Sequence, residues 1–318
     1  MEFKQLEYFL AIARCGSLAS AAEVIGIAQP SLSVQLKNLE QRLGAQLFVR
    51  SPRGVMLTDA GTVLLSHAEG LLRSVRDAKL AVRQAGEDAS GRVVFGFPSS
   101  VSMVLSVPLA ETIRHEHPKI RLRAVDAMSG FIKEWLEEQT VDLAILYETS
   151  GLKNVEVTML LEENLHFYAP RDLWPLKTPP GTPVAIKDLS GVELVLPSKS
   201  HGLRMLINHS TKGAIRDLNV VVEMDSLTQI KSLVARGSAS TILAPAAASD
   251  FEARGELASS KIIDPVISRP VYLVRNPEKP RTRASSEVEK ATIAVVKDLV
   301  LRGQWRGKLV EETQSVTV

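Results

Sequence analysis

Between Gln29 and Thr58 the chain places Lys37, Arg42, Arg50 and Arg53 against one acid, Glu40. In a protein whose net charge is only +2, such a stretch can bind phosphate without drawing the rest of the chain onto a polyanion. Two other groupings suit a smaller anion. Ser99 and Ser100 follow an extended run and open a helix, and Pro197-Ser-Lys-Ser-His-Gly202 forms a second strand-to-helix junction that adds Lys199. Hydroxyls and helix N–H groups at such junctions can hold a carboxylate, although a serine there can equally be an ordinary cap. His115-Glu-His117 has metal-ligand residue types, but it ends a helix before Pro118 with no third ligand in range, and reads as a surface pair. There is no Gly-x-Ser-x-Gly elbow, phosphate loop, dinucleotide fingerprint or Cys-x-x-Cys, so an enzyme is not expected and no cofactor or metal is implied. The one cysteine, Cys15, excludes an internal disulfide and reads as a small core residue in a reducing compartment.

These groups must be positioned by elements that the hydrophobic periodicity predicts. The 318 residues, 45% hydrophobic and 23% charged, suit two globular domains. No apolar run reaches the roughly 20 residues of a membrane span, and the N-terminus has no signal-peptide character, so a cytoplasmic protein is expected. Phe3, Leu6, Phe9, Leu10 and Ala13 mark one buried face of a first helix, which Gly16 ends. A short helix over 18–25 carries Ala21 and Ala22, and Gly26 closes it. A third starts near Pro30 with the stripe Leu32, Leu36, Leu39, Leu43. Two helices joined by a short glycine-containing turn make a helix-turn-helix. Two extended runs around Ser51-Pro-Arg-Gly54 then predict a β-hairpin wing with Arg53 near its tip. Thr58 can cap a long helix to about residue 85, whose seam Leu64, Ala68, Leu71, Val75, Ala78, Val82 alternates steps of four and three, as a dimerising coiled coil does.

Beyond a hinge at 86–91 the pattern becomes alternating strands and helices, an α/β domain with largely parallel sheets. Strands are predicted at 92–97, 120–125, 143–147, 155–161, 165–169, 193–196, 219–224, 241–244 and 271–274. Helices are predicted from about 99 to 116 and at 130–138, 202–214, 226–236, 245–254 and 284–302. The polar, patternless end, residues 304–318, reads as a mobile tail.

The first 65 residues resemble the LysR-type transcriptional regulators through Leu6-Glu-Tyr-Phe9, Gly16-Ser-Leu18, Ala21-Ala-Glu23, Gln29-Pro-Ser-Leu-Ser33, Leu36-Lys-Asn-Leu-Glu40, Leu43-Gly44, Leu47-Phe-Val-Arg50 and Thr58-Asp-Ala-Gly61. Ile27-Ala-Gln-Pro30 and Arg53-Gly-Val55 are similar to the nitrogen assimilation control subgroup. Ala28 and Val34 depart from the family, which usually has Ser and often Arg at these positions.

The resemblance implies a winged helix-turn-helix over 1–58, a linker helix over 59–89 that dimerises, and a two-lobed domain over 90–303 shaped like a type 2 periplasmic binding protein. Its lobes would be 92–162 with 268–302, and 163–267. It implies promoter DNA as partner, a homodimer or homotetramer, RNA polymerase if the protein activates, and no membrane. The third helix would enter the major groove, offering Gln29, Pro30, Ser31, Ser33, Val34 and Gln35 to base edges. Lys37 and Arg50 would meet phosphate, and Arg53 the minor groove. A small effector, anionic or zwitterionic from the serines with Lys199 and His201, would lie between the lobes. Its candidate contacts are Ser99, Ser100, Ser129, Tyr147, Ser198, Lys199, His201, Asp225 and Ser226. A DNA-bending regulator without an effector is the alternative, and a periplasmic receptor is disfavoured by the N-terminal helices.

Overall fold

The structure, a computed structural model, describes residues 2–51, 54–83, 89–212, 218–310 and 315–317. It falls into two compact units, Met1–Gly86 and Glu87–Val318.

In the first unit, α1 (Phe3–Cys15), α2 (Leu18–Ile25) and α3 (Gln29–Leu43) each end at a glycine in the left-handed region: Gly16, Gly26 and Gly44. Leu6, Phe9 and Ile12 of α1, Ala21 and Ala22 of α2, and Leu32, Leu36 and Leu39 of α3 close one core. Phe3 and Leu43, expected on buried faces, are 55% and 41% exposed, because each lies at a helix end past the reach of its neighbours. Strands β1 (Phe48–Ser51) and β2 (Gly54–Leu57) pair antiparallel as the wing. The long helix α4 (Asp59–Arg83) is capped by Thr58, whose Oγ1 accepts from Gly61 N at 3.0 Å and donates to Gln46 O at 2.7 Å.

The sequence seam on α4 needs a correction. Ala68 has no exposed surface and packs with Leu72, Leu64 and Leu65 into the core of its own unit, so Ala68 has nothing left to offer a second copy. Leu71 is 42% exposed and Val75 half-buried. The side chains of Ala78 and Val82 lie outside the described residues.

In the second unit, β3 (Gly91–Pro98) leads into α5 (Ser99–Val101), a π-helical turn (Ser102–Ser106) and α6 (Val107–Glu116). Next come β4 (Ile120–Ala127), α7 (Ser129–Glu137), β5 (Leu143–Leu146) and β6 (Glu156–Asn164). Strand β6 carries the chain out of the first lobe. The second lobe holds β7 (His166–Pro170), β8 (Val184–Ala185), β9 (Leu194–Leu196), α8 (Gly202–Thr211) and β10 (Val220–Glu223). It continues with α9 (Leu227–Ala235), β11 (Thr241–Leu243), α10 (Pro245–Ala253) and β12 (Leu257–Ile263). Strand β13 (Ser268–Arg275) returns beside β6 to the first lobe, which α11 (Arg283–Leu301) completes.

The sheets are mixed rather than largely parallel. β3 pairs parallel with β4 and β5, but β13 runs antiparallel to β5 and β6, and β7 antiparallel to β11 and β12. A crossover strand that returns to its starting lobe must run against the strand that left it.

The tail expected to be mobile is ordered where it is described. Trp305 is fully buried in the first-lobe core, and β14 (Lys308–Leu309) and β15 (Ser315–Thr317) pair with β6. One tryptophan and a two-residue strand are too short to register as periodicity.

Candidate functional sites: an exposed helix face and an interlobe cleft

The buried stripe of α3 dictates its opposite face. At 100° per residue, Pro30, Val34 and Lys37 lie about opposite Leu32, Leu36 and Leu39, while Ser31, Ser33 and Gln35 flank them. Gln29, Pro30, Ser31, Val34 and Lys37 are exposed, and Ser33 and Gln35 half-buried. Val34, 56% exposed, makes the centre of this face apolar. Ala28 supplies no side-chain cap to α3, as its methyl side chain requires.

The nearby charges divide by role. Arg42 Nη1 binds Glu2 Oε1 at 3.0 Å, and Glu40 Oε1 accepts from Leu47 N at 2.8 Å. Both hold the fold, while Lys37 stays exposed. The wing is pinned to the turn before α2, where Val55 N donates to Gly16 O at 2.8 Å. A Cβ at Gly54 would sit 2.2 Å from that same oxygen, and one at Gly61 2.1 Å from Leu47 O. Only glycine fits either place. Arg53 and the side chain of Arg50 lie outside the described residues.

The second site is the cleft between the lobes of the second unit. A cavity of about 70 Å³ is lined by Ser99, Ser100, Ser129, Tyr147, His201, Asp225 and Arg269, with Pro98, Leu227 and Ala247 among its apolar walls. Cavities of about 220 and 290 Å³ adjoin it through Ser129, Tyr147, Arg269 and His201; Ser198 and Ser200 line the larger. The cleft thus gathers seven of the nine predicted contacts. Lys199 and Ser226 are exposed and line none of the three cavities.

The residue that organises the cleft, Arg269, is absent from the sequence-based expectation. It sits on β13 directly across from Glu163 on β6, and both are buried. Arg269 Nε donates to Glu163 Oε1 at 2.7 Å, and Nη2 to Ser100 Oγ at 3.1 Å. The guanidinium lies 3.8 Å from the centre of the Tyr147 ring. The Tyr147 and Ser100 hydroxyls share a short hydrogen bond, and burial raises Tyr147 to about 12, so the phenol keeps its proton. Among the described residues Nη1 of Arg269 has no partner. The sequence offers little to find it, because Arg269 is the second residue of a strand that also carries Ser268 and Arg275.

His201 is no cation here. Burial lowers its pKa, Arg269 lowers it further against the opposing pull of Asp225, and its Nδ1 accepts from Leu203 N at 3.1 Å as the cap of α8. Asp225 is held below the usual carboxylate range by the backbone N–H of Ser198 at 2.9 Å. Ser99 Oγ donates to Asp126 Oδ1 at 2.5 Å. His117 turns to Glu287 at 4.0 Å, away from any metal arrangement with His115.

A winged helix-turn-helix followed by a two-lobed cleft domain defines a transcription regulator that joins DNA binding to ligand binding in one chain. Residues 3–62 match the bacterial regulatory helix-turn-helix of the lysR family, and residues 86–292 the LysR substrate binding domain. The chain belongs to the LysR family of DNA-binding transcriptional regulators, which are not enzymes. It is 30% identical to the nitrogen assimilation regulatory protein nac of Escherichia coli K12, covering 96% of this chain and 99% of that protein. A full-length OxyR variant from Pseudomonas aeruginosa shares the fold with a TM-score of 0.70 at 22% identity, over 99% of both chains. Full-length CbnR complexed with its target DNA does so with a TM-score of 0.56 at 21% identity, over 93% of this chain and 100% of that one. No helix among the described residues is long and apolar enough to cross a membrane.

Proposed function

We propose that the protein reads promoter DNA with the outer face of α3 and is controlled by a small carboxylate-bearing effector, zwitterionic rather than purely anionic, held between its lobes. The single observation that carries the effector reading is Arg269, with Nη1 unpaired beside Ser100 and Tyr147 and its stem braced by Glu163. A carboxylate there meets a guanidinium and two hydroxyls, the arrangement that gives strong charge-assisted bonds. Glu163 already balances the arginine, and Asp225 faces the same cavity. A ligand that also carries an amine therefore suits the cleft better than a bare anion. Cavities of this volume suit a ligand of few atoms in this closed arrangement, and an effector controls the protein only through a difference in affinity between arrangements.

On the DNA side, Val34 and Pro30 meet thymine methyl groups, Gln29, Ser31, Ser33 and Gln35 reach base edges from the flanks, and Lys37 and Arg50 neutralise phosphates. Arg53 on the wing enters the minor groove. A second copy pairs through α4, by way of Leu71, Val75, Ala78 and Val82, and the CbnR–DNA complex supports promoter DNA as the partner.

The test is fluorescence anisotropy of the full chain on the DNA upstream of its own gene, against a scrambled duplex at several salt concentrations. It is repeated with glycine, glutamate, acetate and benzoate. Preference for the upstream DNA by about a hundredfold or more is expected, and an amino acid should shift it where acetate does not. Equal binding to both duplexes at every salt would overturn the DNA reading. An unchanged isotherm with every carboxylate, or the same result with Arg269→Met, would overturn the effector reading.

A further inference from the structure

The chain beyond α11 makes four kinds of contact that a loose tail would not make, and they fall on β6, one of the two strands that join the lobes, or on the second lobe. Trp305 Nε1 donates to Glu163 Oε2 at 3.0 Å, the oxygen that Arg269 leaves free. Arg306 crosses to the other lobe, where Nη2 and Nη1 bind Glu252 of α10 at 3.0 and 3.4 Å, with Ser259 of β12 at 3.5 Å. Gly307 lies so close to β6 that a Cβ would meet Leu161 Cδ1 at 2.8 Å and Glu162 O at 3.0 Å. Strands β14 and β15 then hydrogen-bond along β6. These residues lie past position 292, where the matched substrate-binding domain ends.

From this geometry we infer that the segment after α11 is a clasp across the interlobe hinge, in which Trp305 acts through Glu163 to set Arg269 in the cleft and Arg306 resists rotation of the second lobe. Lobes joined by two strands rotate by twisting those strands. A segment anchored in the first-lobe core, zipped along β6 and tied to α10 opposes that twist on the crossover side. The relay runs Trp305, Glu163, Arg269, Ser100, the first three buried and the last half-buried, so losing the indole N–H leaves a buried carboxylate oxygen unpaired and loosens the guanidinium at its far end. Trp305 is a positioning residue, since it touches no cleft-lining cavity itself.

The role of Arg269 in holding an effector rests on the proposed function, but the clasp does not, so its test uses the full chain without any ligand. Amide hydrogen exchange is compared in wild type, Trp305→Phe and Arg306→Gln. Phe keeps most of the buried ring and removes the donor; Arg306 is exposed, so its replacement leaves the core intact. In both variants the amides of 160–164 and of 268, 269, 271 and 272 should exchange about tenfold faster, while those of α11 and of β3 keep wild-type protection. Unchanged exchange at 160–164 and at 268, 269, 271 and 272 in Arg306→Gln would overturn the clasp. So would equal acceleration throughout the first lobe in Trp305→Phe, which is what a purely structural tryptophan gives. If the exchange result holds and no carboxylate alters DNA binding, the hinge clasp stands and the effector reading falls.

Discussion

The face of α3 and the interlobe cleft are built on opposite plans. The residues of α3 proposed to read DNA are seven near neighbours in sequence on one helix, held out by the three leucines behind them. The cleft is gathered from residues 100, 147, 163, 201, 225 and 269, brought together by two crossover strands and the junctions they position. A local site can change one contact at a time. A site built from long-range pairs shares its partners, so each residue also carries part of the fold, and substitutions there should spread.

Glu163→Ala gives the largest expected effect. It leaves Arg269 buried without its counter-charge and the Trp305 indole without its acceptor. Breaking a buried pair from one side costs about 3–5 kcal/mol, to be read as a fall in the urea midpoint of the second unit. A loss below about 1 kcal/mol would mean that the pair behaves like a surface ion pair and that the cleft is no more coupled than α3.

A smaller effect comes from pH. Burial lowers His166 to about 4 from 6.5, helped by Arg306 and Lys261. Its folded value lies below its unfolded one, so between these pH values the unfolded chain binds more protons. Stability is therefore full above pH 6.5 and is lost as the pH falls towards 4. The whole shift corresponds to about 3 kcal/mol. In His166→Leu the urea midpoint should lose less between pH 7 and about 4.5 than in wild type; an identical decline would assign the acid sensitivity to other groups.

The helix face should show the smallest and most separable effects. Lys37→Ala should lower affinity for every duplex and reduce the salt slope by about one unit, and an unchanged slope would remove it from the phosphate contacts. Gln35→Ala or Ser33→Ala should cost about 1–3 kcal/mol on the upstream DNA and little on the scrambled one. Equal loss on both would show that the half-buried position of these side chains keeps them from the bases.

The same contrast explains what is legible in the sequence. The three glycine-ended helices, the wing and the polar face of α3 follow from periods of 3.6 and 2 and from local turn chemistry. The serines and His201 of the cleft are recognisable as strand-to-helix junctions. Arg269, Glu163 and Trp305 are not, because nothing near any one of them in sequence requires the others. Residues 163 and 269 meet only when β6 and β13 pair. Ala68 misleads for the related reason that a four-three seam reports an apolar stripe without saying whose core it fills. Lys199 misleads because a charge beside a junction carries no sign of which way the chain turns.

The contact between Val55 and the carbonyl of Gly16, through a gap that only Gly54 permits, also bears on the thermodynamics of DNA binding. It joins the strands of the wing to the turn between the first two helices before any DNA arrives. The conformational entropy of ordering those strands is spent during folding and not at the operator. More of the free energy of each phosphate and base contact then appears as affinity. A bulkier residue at position 54 would make the protein bind as though part of its surface had first to condense, with a more favourable enthalpy and a weaker complex.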